Sequence, residues 1–102
     1  MDSRVRIEFE EEHYQRLRQF ERDEEMIEDM RHQFSVRTGQ LMDMVRQAYQ
    51  GNDTFERDAC IAQLQENLEG YRYHCRRRLD EIEEAVNQEK RIFQEQMEER
   101  HS

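Results

Sequence analysis

The side chains that could do chemistry in this chain are few, and the first of them are Glu10 and His13. A Glu-x-x-His spacing on a helix presents a carboxylate and an imidazole on one face, as di-iron carboxylate bundles require. Such a site also needs a second Glu-x-x-His and two more inward Glu residues, and neither His32 nor His74 follows a Glu at that spacing. We therefore predict no metal site, and interpret the acidic run around Glu10 as solvated charge that complements a helix dipole. A metal-dependent carboxylate-bundle enzyme is the third-ranked alternative.

The two cysteines, Cys60 and Cys75, do not form a recognisable redox or metal motif. They are 15 positions apart on one predicted helix, a separation of about 22 Å along the axis, and so they cannot bond to each other within that helix. We interpret them as reduced cytoplasmic cysteines, with Cys75 a small core residue. The sequence offers no Ser/His/Asp or Cys/His set and no Gly-rich phosphate loop. We predict no enzyme, no catalytic residue and no cofactor.

The charge of the chain limits its partners. It carries 16 Lys and Arg against 25 Asp and Glu, a net charge of −9, spread evenly over both halves. Repulsion from phosphates argues against nucleic acid and against anionic membranes. The Arg76–Arg78 triplet would point in three directions on a helix, which favours a solvated or salt-bridged face over a phosphate clamp. We expect no membrane insertion and no cleavable export signal, hence a cytoplasmic protein.

The composition predicts that these residues stand on long helices. Of 102 residues, 40% are charged and 34% hydrophobic, with three Gly and no Pro, which is too little apolar material for a layered globule and too few breakers for many turns. Turn-forming residues cluster only around Gly51, which suits the left-handed position after a helix end. Asp53 and Glu56 have the spacing of a capping box. We predict one domain over 1–102, with helix 1 at about 3–50, a turn at 51–54 and helix 2 at about 55–100.

Apolar residues recur every three or four positions in both halves, as in coiled-coil heptads. If the chain folds back at Gly51, facing residues have numbers that add up to 102, as for Phe9 with Phe93 and Phe34 with Leu68. We therefore predict an all-α fold, an antiparallel two-helix hairpin that is coiled-coil-like and completes a helical bundle by oligomerisation. The predicted partner-binding seam consists of Leu17, Phe20, Ile27, Met30, Phe34, Leu41, Val45, Ile61, Leu64, Leu68, Tyr71, Leu79, Ile82, Val86 and Phe93.

Two sets of residues modify this seam. Met26, Met30 and Met44 widen its edge, either as an adaptable surface for a partner or as part of the hairpin core. Polar residues interrupt the seam and either specify register and partner or extend their polar ends to solvent; they are Glu24, Arg31 and Thr38.

The central turn carries Tyr49-Gln50-Gly51. We predict a structural role for Tyr49, whose ring would fold over the helix junction and pack on the start of helix 2 near Phe55. At this turn the chain resembles the WXG-type secreted proteins, helical hairpins of about a hundred residues with an aromatic-x-Gly turn, although Tyr49 stands where that family has Trp. Over nearly its whole length it is more similar to the small α-helical partners of LXG toxins in the type VIIb secretion system. The similar segments are YQRLRQF at 14–20, YQGND at 49–53 and NQEKRIF at 87–93.

This resemblance implies a targeting chaperone that binds the helical N-terminal LXG domain of a secreted toxin and presents it for export, with a turn motif of Tyr49, Gly51 and Asp53. The usual WXG export signal, an aromatic followed four residues later by an acid near the end of helix 2, is absent after Phe93, so a partner is expected to carry it. Expected partners are the toxin with or without a second small helical protein, and a homodimer in isolation. Co-export with the toxin stays open. The alternative is a structural coiled-coil dimerisation protein without a secretion role.

Overall fold

A computed structural model describes residues 2–51 and 54–101, except for the side chains of residues 100 and 101. Two helices form it, α1 over Ser3–Ala48 and α2 over Thr54–His101, and no strand occurs in the described ranges. α1 packs on α2, which confirms the predicted all-α helical hairpin. The absence of Pro allows each helix to continue without a break.

The helix junction differs slightly from the prediction, because α1 ends at Ala48 rather than near residue 50. Tyr49 N still donates a helical hydrogen bond to Val45 O at 3.1 Å, but Gln50 N donates to Gln47 O, 3.3 Å away and only three residues back. This tightening ends the helix, and Gly51 follows with a positive φ of 78°, a conformation that favours glycine. Asp53, with its predicted capping box, lies outside the described residues.

The residue contacts divide the chain into two compact units, and both helices contribute to each. Unit 1 contains Met1–Met26 and Arg78–Ser102, and unit 2 contains Ile27–Arg77. The two units are described separately below. The prediction of a single domain over 1–102 stays a prediction.

Aromatic rings form the core of unit 1. Phe9 and Phe93 stack with centroids 5.4 Å apart, which confirms the predicted pairing of these two residues. The ring of His13 also stacks on Phe93, with the ring centroids 3.9 Å apart and an angle of 7° between the ring planes. A residue that the sequence indicated as polar surface is therefore part of the packed interface between α1 and α2.

Among the described residues of unit 2, the buried side chains are those of Ile27, Thr38 and Cys75. Cys75 is a core residue as predicted. The ring of Phe34 stacks on Tyr71 with centroids 4.2 Å apart, three residues beyond its predicted neighbour Leu68. Long helical side chains lean along the helix axis, so an aromatic ring can reach a diagonal neighbour.

The core of both units is thin. Among the described residues, Ile27 and Cys75 are the only buried apolar side chains. No described side chain is less than 2% exposed. Each helix covers only one side of the other, as expected for two helices without a third.

Candidate functional site

Thirteen of the fifteen residues of the predicted seam are buried or half-buried, and two are exposed. Ile27 is buried, and twelve of the fifteen residues are half-buried. Met30 and Leu41 are exposed, although the heptad pattern assigned them to the same stripe. Both are rotated about 40 to 60° to one side of Ile27 on α1, so α2 does not cover them.

These two residues define an exposed apolar surface of unit 2. With Met44, Met30 and Leu41 lie on the same side of α1, and we call these three residues the Met30 flank. The exposure of Met30 and Met44 answers one question left open by the sequence, because these methionines do not complete the hairpin core. Met26, in unit 1, is exposed as well.

A shallow groove begins at the Met30 flank. It has a volume of about 170 Å³ and is lined by Met30, Gln33, Phe34 and Arg37 of α1 and by Tyr71 of α2. Among the described residues that line the groove, only Arg37 is charged, in a chain that is 40% charged. Methionine and aromatic walls with little charge suit an apolar side chain from a partner helix.

Tyr71 belongs to both the seam and this groove. Burial raises the pKa of its phenol, and the charge and hydrogen bonding of Cys75, one turn further along α2, raise it further. The phenol is therefore neutral at physiological pH and can act as a packing surface with a polar end.

A polar cluster that the sequence did not predict lies in unit 1. His13 is only 4% exposed, and its Nδ1 lies 3.0 Å from Oε1 of Glu89. Arg16 Nε donates a hydrogen bond to the same oxygen at 2.7 Å. Glu10, the residue first paired with His13 by spacing, instead forms an ion pair with Arg6 at 3.2 Å. The facing rule could have found the cluster, since the numbers 13 and 89 also add up to 102.

The electrostatics of this cluster favour the charged form of Glu89. Burial alone would raise the pKa of its carboxyl group, but the hydrogen bonds with His13 and Arg16, together with the charge of Arg16, outweigh burial and lower the pKa below its ordinary value. The cluster therefore joins α1 and α2 through an ionised side chain with two partners.

A basic cleft lies on the other side of the seam in unit 2. It has a volume of about 530 Å³, and we define it by its lining residues, which are Glu28, Arg31, His32 and Ser35 of α1 with Arg72 and Arg76 of α2. Of the Arg76–Arg78 triplet, only Arg76 contributes to it. All three arginines of the triplet are exposed, as the solvated-face interpretation predicts, and Arg76 in addition faces residues of α1 across the cleft.

No metal site is formed by the described residues, in which no group of three or more His, Cys, Asp or Glu side chains is placed to hold an ion. The sequence does contain a second Glu-x-x-His pair, Glu98 and His101, which the prediction above did not consider. The side chain of His101 lies outside the described part. Of the remaining predicted residues, Glu24 and Arg31 are half-buried and Thr38 is buried.

At the turn, Tyr49 is half-buried, whereas Phe55, its predicted neighbour, is 80% exposed. Gly51 has the left-handed conformation described above. Asp53, the third residue of the turn motif, is outside the described ranges.

Neither helix, as far as it is described, contains a stretch with the length and hydrophobicity of a membrane span. No protein-family model matches the chain, and no curated protein or solved structure matches it either. The resemblance to LXG-associated proteins therefore stays a prediction.

Proposed function

We propose that this protein is a targeting chaperone that binds the helical N-terminal LXG domain of a secreted toxin and directs it to the type VIIb secretion system. The observation that supports partner binding is the incomplete core. The chain exposes 8196 Å², whereas a compact protein of 12.7 kDa exposes about 6200 Å². The difference exceeds the roughly 800 Å² that each partner contributes to a standard interface.

The Met30 flank is the proposed docking surface. Its groove offers the thioether of Met30 and the rings of Phe34 and Tyr71 to a partner helix. Unbranched methionine side chains adapt to irregular surfaces, which suits a chaperone whose cargo presents a helix face rather than one fixed peptide. In this proposal the chain acts in the cytoplasm, binds its cargo before export, and forms a homodimer through the same flank when cargo is absent.

A matched pair of variants tests the docking surface. Leu41 on the flank and Val36 on the opposite side of α1 are 47% and 45% exposed. Replacing either with Asp therefore adds the same charge at the same exposure. Leu41→Asp should weaken capture of a co-expressed LXG domain at least about tenfold, because it places a charge in an apolar contact. Val36→Asp should leave capture unchanged.

Capture would be measured by copurification followed by the intact mass of the complex, with circular dichroism as a check on folding. If both variants capture the LXG domain as the unaltered chain does, the Met30 flank is not the docking surface. If the unaltered chain captures no LXG domain encoded beside its gene, the proposed function is wrong.

A second candidate is a structural coiled-coil protein that dimerises and has no secretion role. It is favoured by the same thin core, which a second copy of the chain could cover. The two functions differ in their genomic setting, because only the chaperone requires a neighbouring gene for an LXG-domain protein. The absence of such a gene, together with a stable homodimer, would favour the structural protein.

A further inference from the structure

The basic cleft of unit 2 differs from the rest of this acidic chain. Three arginines and a histidine line it, and Glu28 is the only carboxylate in the lining. Arg31 donates a hydrogen bond to Glu28. The guanidinium groups of Arg72 and Arg76 form no ion pair with a described carboxylate, so the cleft carries uncompensated positive charge on a chain whose net charge is −9.

The contacts of Arg72 and Arg76 leave them available to an anion. Arg72 Nη2 donates to the neutral Ser35 Oγ at 3.3 Å, and the guanidinium of Arg76 lies 5.6 Å from the centre of the Tyr73 ring. Within the described ranges neither arginine forms an ion pair. The hydroxyl and the ring orient the two groups without neutralising them.

The spacing of these arginines selects the form of the ligand. Arg72 and Arg76 are four residues apart on α2, so they lie about 6 Å apart along the helix axis on the same face. Two carboxylates four residues apart on another helix have the same spacing, and each can accept two hydrogen bonds from a guanidinium group. We infer that the basic cleft binds an acidic helix of another protein through two such carboxylates, which pair with Arg72 and Arg76.

The charges around the cleft favour this ligand over a phosphate. Glu28 lines the same cleft, where its carboxylate repels negative charge that is placed close to it. Separate carboxylates carry one charge each and can be placed beside the arginines, away from Glu28. A dianion or a polyanion would bring more charge close to that carboxylate.

This inference does not depend on the proposed function. The cleft lies on the opposite side of the seam from the Met30 flank, so the two surfaces can be altered independently. A partner helix at the cleft would be oriented by charge, because matched ion pairs specify register and exclude partners of the wrong sign.

The test uses the full chain labelled with ¹⁵N and a synthetic helical peptide. One peptide carries two Glu residues four positions apart, and a second carries Gln at the same positions. The readout is the Nε–Hε signals of Arg31, Arg72 and Arg76 in NMR spectra, assigned through single Arg→Gln variants. We expect the Glu peptide to shift these signals in a saturable and salt-sensitive way, and the Gln peptide to leave them unchanged.

Matched double variants identify the residues responsible. Arg72→Gln with Arg76→Gln should weaken binding of the Glu peptide at least about tenfold, the effect of losing charge-assisted hydrogen bonds. Arg77→Gln with Arg91→Gln changes the net charge equally at two exposed positions outside the cleft lining and should change binding less than about twofold. Circular dichroism shows whether both variants keep their helix content.

Several results would overturn the inference. Equal shifts with both peptides, no shift with either, or equal weakening by the two double variants would each show that the cleft does not recognise paired carboxylates. Saturation by inorganic phosphate at a lower concentration than the Glu peptide would assign the cleft to a small anion. Loss of self-association in the Arg72→Gln, Arg76→Gln variant alone, measured by sedimentation, would assign it to a second copy of the chain.

Discussion

Among the described residues, most ion pairs join two side chains of the same helix, such as the exposed pair of Arg46 with Asp43 and the pair of Arg6 with Glu10. Pairs of this kind contribute only a few tenths of a kcal/mol each. Glu89 is different, because its side chain is 15% exposed and it accepts hydrogen bonds from across the helix interface. At the residue scale this carboxylate has the clearest consequence for stability.

The pH dependence of folding should report on Glu89. A carboxyl group whose pKa is lower in the folded state stabilises the fold above its unfolded pKa, and the contribution is lost as pH falls through the folded pKa. Here the ordinary value is 4.5 and the folded value lies below it. The free energy of unfolding of the unaltered chain should therefore exceed that of Glu89→Gln above pH 4.5. The difference should shrink as pH falls below 4.5.

Urea unfolding at a series of pH values measures this difference. Glu84→Gln, at an exposed position of α2, provides a control in which the difference should stay close to zero. If the difference in the free energy of unfolding between the unaltered chain and Glu89→Gln stays the same from about pH 3 to about pH 7, the role assigned to Glu89 is wrong.

At the scale of elements, the three glycines have different roles although each has open space where a Cβ would stand. Gly51 has a φ of 78° in the turn, whereas Gly39 and Gly70 lie within α1 and α2. Only the first requires a conformation that L-residues rarely adopt. Substitution by Ala should therefore have opposite effects at the turn and within the helices.

Gly51→Ala should lower the free energy of unfolding by about 1 kcal/mol, because Ala is strained at positive φ. Gly39→Ala should raise it by about 0.5 to 1 kcal/mol, because Ala has the higher helix propensity and meets no neighbour. Chemical unfolding of both variants checks the signs. A stabilising Gly51→Ala or a destabilising Gly39→Ala would show that local backbone preference does not govern these positions.

The seam between the helices should be sensitive to loss of its aromatic contacts. Phe34→Ala removes the ring that stacks on Tyr71. It should destabilise the chain by about 2 to 3 kcal/mol, less than the roughly 3 to 5 kcal/mol for a fully buried Phe, because Phe34 is only half-buried. It should also weaken capture of the LXG domain, because the ring lines the shallow groove that begins at the Met30 flank.

Thermal and urea unfolding of Phe34→Ala measure the first effect, and copurification measures the second. Ile7→Ala is the control, since Ile7 is exposed on α1 and its truncation should cost less than about 0.5 kcal/mol. Unchanged melting of Phe34→Ala would show that the stack contributes nothing to stability.

At the scale of the whole molecule, stability should depend on association. A thin core and a large exposed area predict that binding of a second copy adds to the free energy of unfolding by mass action. The melting temperature of the isolated chain should therefore rise with its concentration, by several degrees over a hundredfold increase. Scanning calorimetry measures the melting temperature, and sedimentation measures the oligomeric state. A monomer whose melting temperature does not depend on concentration would contradict the expected homodimer.

The sequence alone determined the features that depend on local chemistry. The absence of Pro and the turn-forming cluster at Gly51 predicted two helices, and the apolar period predicted which stripe of each helix is covered, including Ile27 and Cys75. These predictions succeed because helix propensity, turn conformation and apolar spacing act over a few residues.

The tertiary structure alone decided which side chains meet across the stripe and which remain outside it. It left Met30 and Leu41 exposed, and it brought Arg31 and Ser35 opposite Arg72. These outcomes depend on the rotation of each helix about its axis and on the lean of its side chains. A seven-residue pattern specifies the covered stripe but not its edges, and both proposed binding surfaces lie at those edges.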